Sequence, residues 1–180
     1  MLVNEVRIIG GRWRGRKLKF PESQDLRPTL GRVRETLFNW LNRAVLDARC
    51  LDLFAGSGAL GFEALSRGAA EVVLVDQAPR VAAALRASAD RLEATSATIH
   101  CETAEAFLNR DHSSWDLVFF DPPFRYPDSD RLLELILKDH LAPNGLIYIE
   151  RSGKDQLPHP ELLHKHSRAG DCQFGLLARP

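Results

Sequence analysis

The sequence predicts an α/β protein with a mainly parallel sheet covered by helices on both faces. Short apolar runs alternate with helical patterns across residues 50–150, which is typical of βαβ units. Runs such as VVLV at 72–75 and LVFF at 117–120 are apolar at every position, as in strands buried on both faces. In such a sheet, ligands bind at the carboxyl ends of the strands, where the strand order switches.

Composition supports one ordinary soluble domain. The 180 residues are 44% hydrophobic, enough for a core, and the 12 glycines and 10 prolines exclude collagen-like or low-complexity chains. The cysteines are three and form no Cys-x-x-Cys pair, which fits a reducing compartment. The start, MLVNEVRIIGG, is unlike a signal peptide, and no run reaches the length needed to cross a bilayer. We therefore expect a cytoplasmic monomer without a membrane segment.

The formal net charge of zero hides an asymmetry. Residues 1–45 hold ten Lys and Arg against four Asp and Glu, a net of +6, whereas the remaining 135 residues hold fourteen against twenty, a net of −6. A basic N-terminal segment followed by an acidic remainder indicates a polyanionic partner that binds at the N-terminal segment.

The elements follow in order along the chain. We expect a hairpin over residues 5–20, with turn conformations supplied by Gly10, Gly11 and Gly15. After a loop at 21–28, Thr29 should cap a helix that runs to about residue 45. Strands are expected at 50–54, 71–76, 97–101, 115–121 and 145–150, helices at 59–66, 79–94, 102–109 and 129–140, and two more strands from about 162 onwards.

The first candidate site combines a glycine loop with two acids. Residues 56–61, GSGALG, follow a strand and precede a helix, and Asp76 closes the next strand. Glycines allow a tight turn and a close approach of ligand, and an acid at that position can hold both hydroxyls of a ribose. A dinucleotide and S-adenosylmethionine both fit this outline. The additional acid, Asp52, favours S-adenosylmethionine, which carries an ammonium and a sulfonium and no phosphate.

The second candidate site is the Asp-Pro-Pro-Phe run at residues 121–124, where the fourth strand ends. The two prolines restrict the loop and remove backbone donors, which leaves acceptors, namely the Asp121 carboxylate and the Pro122 carbonyl. Two acceptors suit the amino group of a nucleobase, because they can draw its nitrogen toward tetrahedral geometry and free the lone pair. The ring of Phe124 can stack on a base that has left its helix.

The basic N-terminal segment is the third feature of interest. Its cations surround one tryptophan, Trp13, which either stacks on a base or braces the turn. We expect phosphate contact from this surface. The members of the basic hairpin are Arg7, Arg12, Arg14, Arg16, Lys17 and Lys19, followed by Arg27, Arg32 and Arg34.

These motifs together resemble the RsmD family of S-adenosylmethionine-dependent N-methyltransferases. The resemblance rests on RIIGGRWRGRKLKFP, LRPTLGRVRETLFNWL, LDLFAGSGALGFEALSRGA and LVFFDPPF in this order and spacing. It implies methylation of the exocyclic N2 of one guanine, position 966, in 16S rRNA of the small ribosomal subunit or of its assembly intermediate. It also implies a Rossmann-like seven-stranded sheet with a reversed C-terminal hairpin. Residues 1–27 would be a basic β-hairpin extension that touches RNA, and residues 28–180 the class I methyltransferase domain.

The resemblance also implies roles for individual residues. The catalytic motif would be Asp121, Pro122, Pro123 and Phe124. The cofactor would be held by Asp52, Gly56, Ser57, Gly58 and Asp76, with Thr103 and the backbone of Ala104 at the adenine. RNA would be bound by Arg12, Trp13, Arg14, Arg16 and Lys17.

Three alternatives stay open. An adenine-N6 methyltransferase acting on DNA or another RNA would use the same Asp-Pro-Pro-Phe chemistry. An NAD-dependent oxidoreductase would need a substrate domain for which 180 residues leave little room. An inactive RNA-binding scaffold would not need all three acids. We expect no metal site, because the cluster His159, His164 and His166 lacks the spacing of a zinc set.

Overall fold

The computed structural model describes residues 3–21, 31–123, 126–153 and 155–179. The expectations for the loop at 22–28, for Thr29 as a cap, for Arg27 and for Phe124 fall outside these residues. The strands are β1 Val3–Arg7, β2 Lys17–Pro21, β3 Arg49–Asp52, β4 Glu71–Val75, β5 Ala97–His100, β6 Trp115–Phe120, β7 Leu141–Ser152, β8 Leu163–Ala169 and β9 Cys172–Ala178. The helices are α1 Gly31–Leu41, α2 Ala59–Ser66, α3 Pro79–Leu92, α4 Ala104–Arg110 and α5 Ser129–Leu135.

Seven of the described strands form the central sheet in the order β5-β4-β3-β6-β7-β9-β8. The first five in this order run parallel, and β9 is antiparallel to both β7 and β8. The predicted fold class is confirmed, including the reversed C-terminal hairpin. The chain runs from β3 outward through β4 to β5 and then crosses back to β6 on the other side of β3, so the switch in strand order lies between β3 and β6.

The strands are apolar at nearly every position because each face of the sheet is covered. Alternate side chains of β6 enter different clusters: Leu117 and Phe119 pack with α1, α2 and α3, whereas Val118 and Phe120 pack with α4 and α5. Two clusters on opposite faces are the three-layer arrangement that a parallel sheet requires.

Helix α2 lies wholly inside the molecule. All eight of its residues are buried, because the sheet covers one side and the N-terminal segment covers the other. The loop between β1 and β2 is bonded to the end of α2. The amides of Arg12 and Trp13 donate to the Ser66 carbonyl and to Ser66 Oγ at 2.8 and 2.9 Å. These bonds satisfy helix-end groups that otherwise lack partners.

The N-terminal segment therefore belongs to the main core. Ile8, Trp13 and Leu18 lie in the same cluster as α1, α2 and α3, so the apolar side chains of the hairpin pack against the main core. Gly11 has a φ of +75°, as expected of a turn glycine. Gly10 differs from the expectation: its φ is not positive, and a Cβ there would meet the movable end of the Arg67 side chain, at 2.5 Å.

Other boundaries differ from expectation by a few residues. The predicted helix at 129–140 is α-helical only to Leu135 and continues as a π-helical turn over Ile136–His140. The next strand, β7, begins at once, four residues earlier than predicted. Within the described ranges, no helix is both long and apolar enough to cross a membrane.

Candidate active site

Three carboxylates stand at the same edge of the sheet, on three adjacent strands. Asp52 is the last residue of β3, Asp76 follows β4 and Asp121 follows β6. Since β3 pairs in parallel with both β4 and β6, their carboxyl ends meet beside the switch point. The sequence-predicted acids are thus brought together where an open α/β sheet binds its ligand.

Asp52 is buried and holds the start of α2. Its Oδ2 accepts the Gly61 amide at 3.0 Å, and the residue is 2% exposed. Burial raises the pKa of Asp52 to about 7, the Gly61 bond opposes the rise, and the nearby charge of Asp76 adds to it. A buried carboxyl whose pKa is raised in this way is a feature of functional sites.

Asp52 makes the protein less stable as the pH rises. Its pKa in the folded state, about 7, lies above the ordinary value of 3.8. Between pH 3.8 and about pH 7 the folded protein therefore binds more protons than the unfolded chain, and its stability falls as the pH rises through this range. We expect Asp52→Asn to remove this fall in stability with rising pH, because the asparagine oxygen can still accept the Gly61 amide but does not ionise. The stability advantage of the variant should grow up to a pH of about 7 and then stay constant, reaching at most about 4 kcal/mol.

Urea unfolding of both proteins at about pH 5 and about pH 8 measures this difference. An advantage of equal size at both pH values would contradict the raised pKa.

Asp76 links the glycine loop to the next helix. Its Oδ2 accepts the Gly56 amide at 3.0 Å and its Oδ1 accepts the Ala78 amide at 2.9 Å. Gly56 and Gly58 have φ values of +48° and +75°, a region that glycine enters without strain. Burial raises the pKa of Asp76, and its two backbone bonds oppose the rise. Asp76 is only half-buried, so it remains accessible to hydroxyl groups of a ligand.

The loop is better suited to a cationic ligand than to a pyrophosphate. A dinucleotide places its phosphates on the free amides at a helix N-terminus. Here the Asp52 carboxylate already binds the Gly61 amide at that end of α2, and Ser57 is buried in the loop. A further negative charge would be repelled, whereas the ammonium and sulfonium of S-adenosylmethionine would be attracted. The residues fit S-adenosylmethionine.

Pro123, after β6, is held by a contact from Tyr126, a residue that was not predicted to belong to the site. Pro122 is buried and Pro123 is exposed. The Tyr126 amide donates to the Pro123 carbonyl at 2.7 Å, and its hydroxyl donates to the carboxylate of Glu105 on α4 at 2.8 Å. The Tyr126 ring also packs edge-on against Phe54, with centroids 4.9 Å apart. A tyrosine two residues beyond the Asp-Pro-Pro-Phe run was the available signal.

The side chain of Thr103 has a structural role at the start of α4. Its Oγ1 caps α4 by accepting the Ala106 amide at 3.1 Å, as hydroxyl residues do at helix starts. Glu102 pairs with Arg110 at 2.6 Å. A hydroxyl that accepts one amide still has a donor and a second lone pair, so the contacts of Thr103 and of the Ala104 backbone with the adenine stay predictions.

Comparison with known proteins decides the family. The family model described as conserved hypothetical protein 95 matches residues 6–177. The chain is 44% identical over 180 residues to the ribosomal RNA small subunit methyltransferase D of Escherichia coli K12, covering 97% of this chain and 90% of that relative. The chain belongs to the RsmD family. A solved structure of the putative methyltransferase YhhF from E. coli matches the RsmD-family fold with a TM-score of 0.90 and 42% identity over 98% of each chain.

A more distant match shows the fold alone. It is a 16S rRNA N2 G1207 methyltransferase (RsmC) from T. thermophilus, in complex with AdoMet and guanosine. The TM-score is 0.73 at 20% identity, over 99% of this chain and 50% of that one. The RsmD-family chain therefore shares its sheet with a larger methyltransferase.

The basic surface of this RsmD-family protein lies on the N-terminal hairpin. Trp13 is only 8% exposed, and the Arg12 guanidinium lies 4.1 Å from the centre of its ring. The buried ring cannot stack on a base, so the stacking alternative for Trp13 is wrong and the bracing alternative fits. Arg16 donates to the Arg91 carbonyl at the end of α3 at 2.7 Å. The exposed cations of the hairpin are Arg7, Arg12, Arg14, Arg16, Lys17 and Lys19.

The burial of two charged residues was not predicted from the sequence. Glu63 of α2 is fully buried, and its carboxylate accepts the amides of Ile9 and Gly10 at 2.7 and 2.8 Å and the Arg67 Nε at 2.7 Å. Arg34, counted among the RNA-facing cations, is in fact 4% exposed and donates to the Arg7 carbonyl at 3.0 Å. Burial lowers the pKa of Arg34, and the charge of Glu63 opposes that shift. A single glutamate inside an otherwise apolar helix was the signal for Glu63.

The C-terminal histidines are placed at the surface. His164 and His166 are exposed on β8. His159 lies between Glu134 and Glu161, at 3.0 and 3.1 Å. No group of metal-binding side chains was found among the described residues.

Proposed function

We propose that this protein uses S-adenosylmethionine to methylate the exocyclic N2 of one guanine, position 966, in the 16S rRNA of the small ribosomal subunit, and that it acts as a cytoplasmic monomer. The proposal is carried by one observation, the meeting of Asp52, Asp76 and Asp121 at the switch point. The name of the E. coli relative, a ribosomal RNA small subunit methyltransferase, supports the substrate, and the resemblance of the Asp-Pro-Pro-Phe run supports the amino group.

Each carboxylate has a separate role. Asp76 accepts the ribose hydroxyls, and Asp52 supplies negative charge near the methionine end. Asp121 accepts one hydrogen of the target amino group, and the Pro122 carbonyl accepts the other. When bound, S-adenosylmethionine supplies an electrophilic methyl group. The proton that the amino nitrogen loses after transfer passes to Asp121 or to water, and positioning of nitrogen and methyl accounts for the remaining rate enhancement.

The basic hairpin holds the RNA backbone. Its cations are exposed, and the loop that carries Arg12 and Arg14 is bonded to Ser66 at the end of α2, the helix that begins at the glycine loop. Phosphate contacts of this type position the substrate without reading its sequence.

Replacing Arg14 and Arg16 together with alanine should weaken RNA binding and flatten its salt dependence. Each lost phosphate contact lowers the slope of log K against log salt by about 0.7–0.9, so the pair should lower it by about 1.5. Filter binding across a salt series measures the slope. The matched control is Arg131→Ala with Lys138→Ala, which removes two exposed cations from the α5 side of the sheet. An unchanged slope in the Arg14 and Arg16 variant would contradict phosphate contact.

Nucleoside analysis tests the proposed function. Purified protein and labelled S-adenosylmethionine are incubated with small ribosomal subunits from cells that lack the gene, and with free 16S rRNA in parallel. The RNA is then digested and the labelled nucleoside identified. We expect N2-methylguanosine. N6-methyladenosine would instead establish the adenine alternative, and the absence of cofactor binding would overturn the roles of Asp52 and Asp76.

A further inference from the structure

A fourth carboxylate stands beside the Asp-Pro-Pro-Phe loop, on the neighbouring strand. β6 and β7 pair in parallel with Phe119 opposite Tyr148 and Phe120 opposite Ile149, so Asp121 and Glu150 follow at equivalent positions. The rings of Phe119 and Tyr148 meet on one face of the sheet, with centroids 6.5 Å apart. Because side chains alternate along a strand, Asp121 and Glu150 project from that same face.

Glu150 is held in place by two neutral donors. It is 8% exposed; one oxygen accepts the Tyr148 hydroxyl and the other accepts the Cys172 thiol at 3.1 Å. Burial, together with the charges of Glu150 and Asp121, raises the pKa of both the Tyr148 hydroxyl and the Cys172 thiol. Both groups therefore stay protonated and donate. Each carboxylate oxygen retains a second lone pair, so Glu150 can still accept one further hydrogen bond at each oxygen.

Two adjacent acceptors match one nucleobase edge better than the other. Guanine presents the N2 amino group next to N1–H, which are all donors. Adenine presents its N6 amino group next to N1, which is an acceptor and would face a carboxylate unfavourably. Asp-Pro-Pro-Phe alone cannot make this distinction, because it engages only an amino group.

We propose that Glu150 accepts the N1–H of the target guanine while Asp121 and the Pro122 carbonyl hold its N2 amino group, and that Glu150 thereby selects guanine over adenine. This inference rests on the proposed guanine-N2 activity and assigns the residue that reads the base. The negative charge beside N1–H also pushes electron density toward N2, which makes the amino group a better nucleophile.

An RNA with 2-aminopurine at the target position tests the inference. This base keeps the N2 amino group but has an acceptor at N1. The wild-type protein should methylate it at least about 100-fold more slowly than guanine, because a buried acceptor then lacks its donor. In Glu150→Gln, the amide can donate to N1 of 2-aminopurine and no longer carries charge. We expect the rate on guanine to fall about 100-fold and the preference for guanine over 2-aminopurine to disappear.

A purely structural role of Glu150 would predict a different result. Damage to the fold would lower both rates by the same factor and leave the preference unchanged, which would overturn the inference. Glu150→Asp keeps the charge and should keep the preference at a lower rate. Equal wild-type rates on guanine and 2-aminopurine would also overturn it, whatever the variants do. If wild-type protein formed no N2-methylguanosine at all, the proposed function itself would have failed.

Discussion

Asp121→Ala should lower kcat by about 1,000-fold or more while leaving the affinity for S-adenosylmethionine within a few-fold of wild type. In the proposed mechanism, the hydrogen bond from the amino group to Asp121 strengthens as the nitrogen turns tetrahedral, so this bond would stabilise the transition state more than the bound substrate. Single-turnover methylation of small subunits, with cofactor affinity measured by calorimetry, separates the two effects. A loss confined to KM would indicate a binding role and contradict the proposed one.

Two further variants sharpen this experiment. Asp121→Asn keeps an acceptor oxygen but not the charge, so we expect a smaller loss, about 10- to 100-fold. Asp130→Ala removes an exposed carboxylate that pairs with Arg151 at 2.8 Å. Because the Asp130 side chain is 86% exposed, its variant should retain activity within about twofold. Equal losses at Asp121 and Asp130 would show that the effect is not specific to Asp121 and would contradict its proposed catalytic role.

Glu63→Ala should destabilise the protein by about 3–5 kcal/mol, because it leaves buried partners unsatisfied. The amides of Ile9 and Gly10 lose their acceptor, and Arg67 loses its counter-charge. Arg34 would then be a buried cation facing no opposite charge from α2. Urea unfolding measures the change in midpoint at a constant slope.

The matched control for Glu63 is Glu71→Ala. Glu71 makes an even shorter ion pair, 2.5 Å to Arg49, but both side chains are nearly half exposed. Exposed pairs contribute about 0–1 kcal/mol, so we expect a change below about 1 kcal/mol. Similar losses in the two variants would contradict the view that burial, not distance, sets the contribution of these carboxylates.

The parts of the structure that could be predicted are those that depend on residues close together in the sequence. The parallel strands were visible because residues such as Val72 and Phe119 lie in continuous apolar runs, and the placement of Asp52, Asp76 and Asp121 followed from strand ends meeting at one edge. The glycine loop was visible because Gly56 and Gly58 require a backbone that other residues avoid.

The parts that sequence missed depend on contacts between distant segments. Glu63 bonds to Ile9, 54 residues away, and nothing near either residue reveals the other. Trp13 and Arg34 lie among exposed cations in the sequence, yet folding against α2 buries both. Glu150 looked like the end of an ordinary strand, because its partner Cys172 is supplied by the last strand, 22 residues later.

The attachment of the N-terminal loop to α2 governs how deletion experiments on this protein are to be read. A truncated protein that starts after β2 would lack the acceptor and donor groups that complete Glu63 and Ser66. It would also expose the apolar side of a helix whose first residue follows the glycine loop. Loss of RNA binding in such a truncation would therefore report a collapsed cofactor loop as much as a missing RNA contact. Point substitutions at exposed cations, which leave the backbone bonds intact, are the changes that separate recognition from folding.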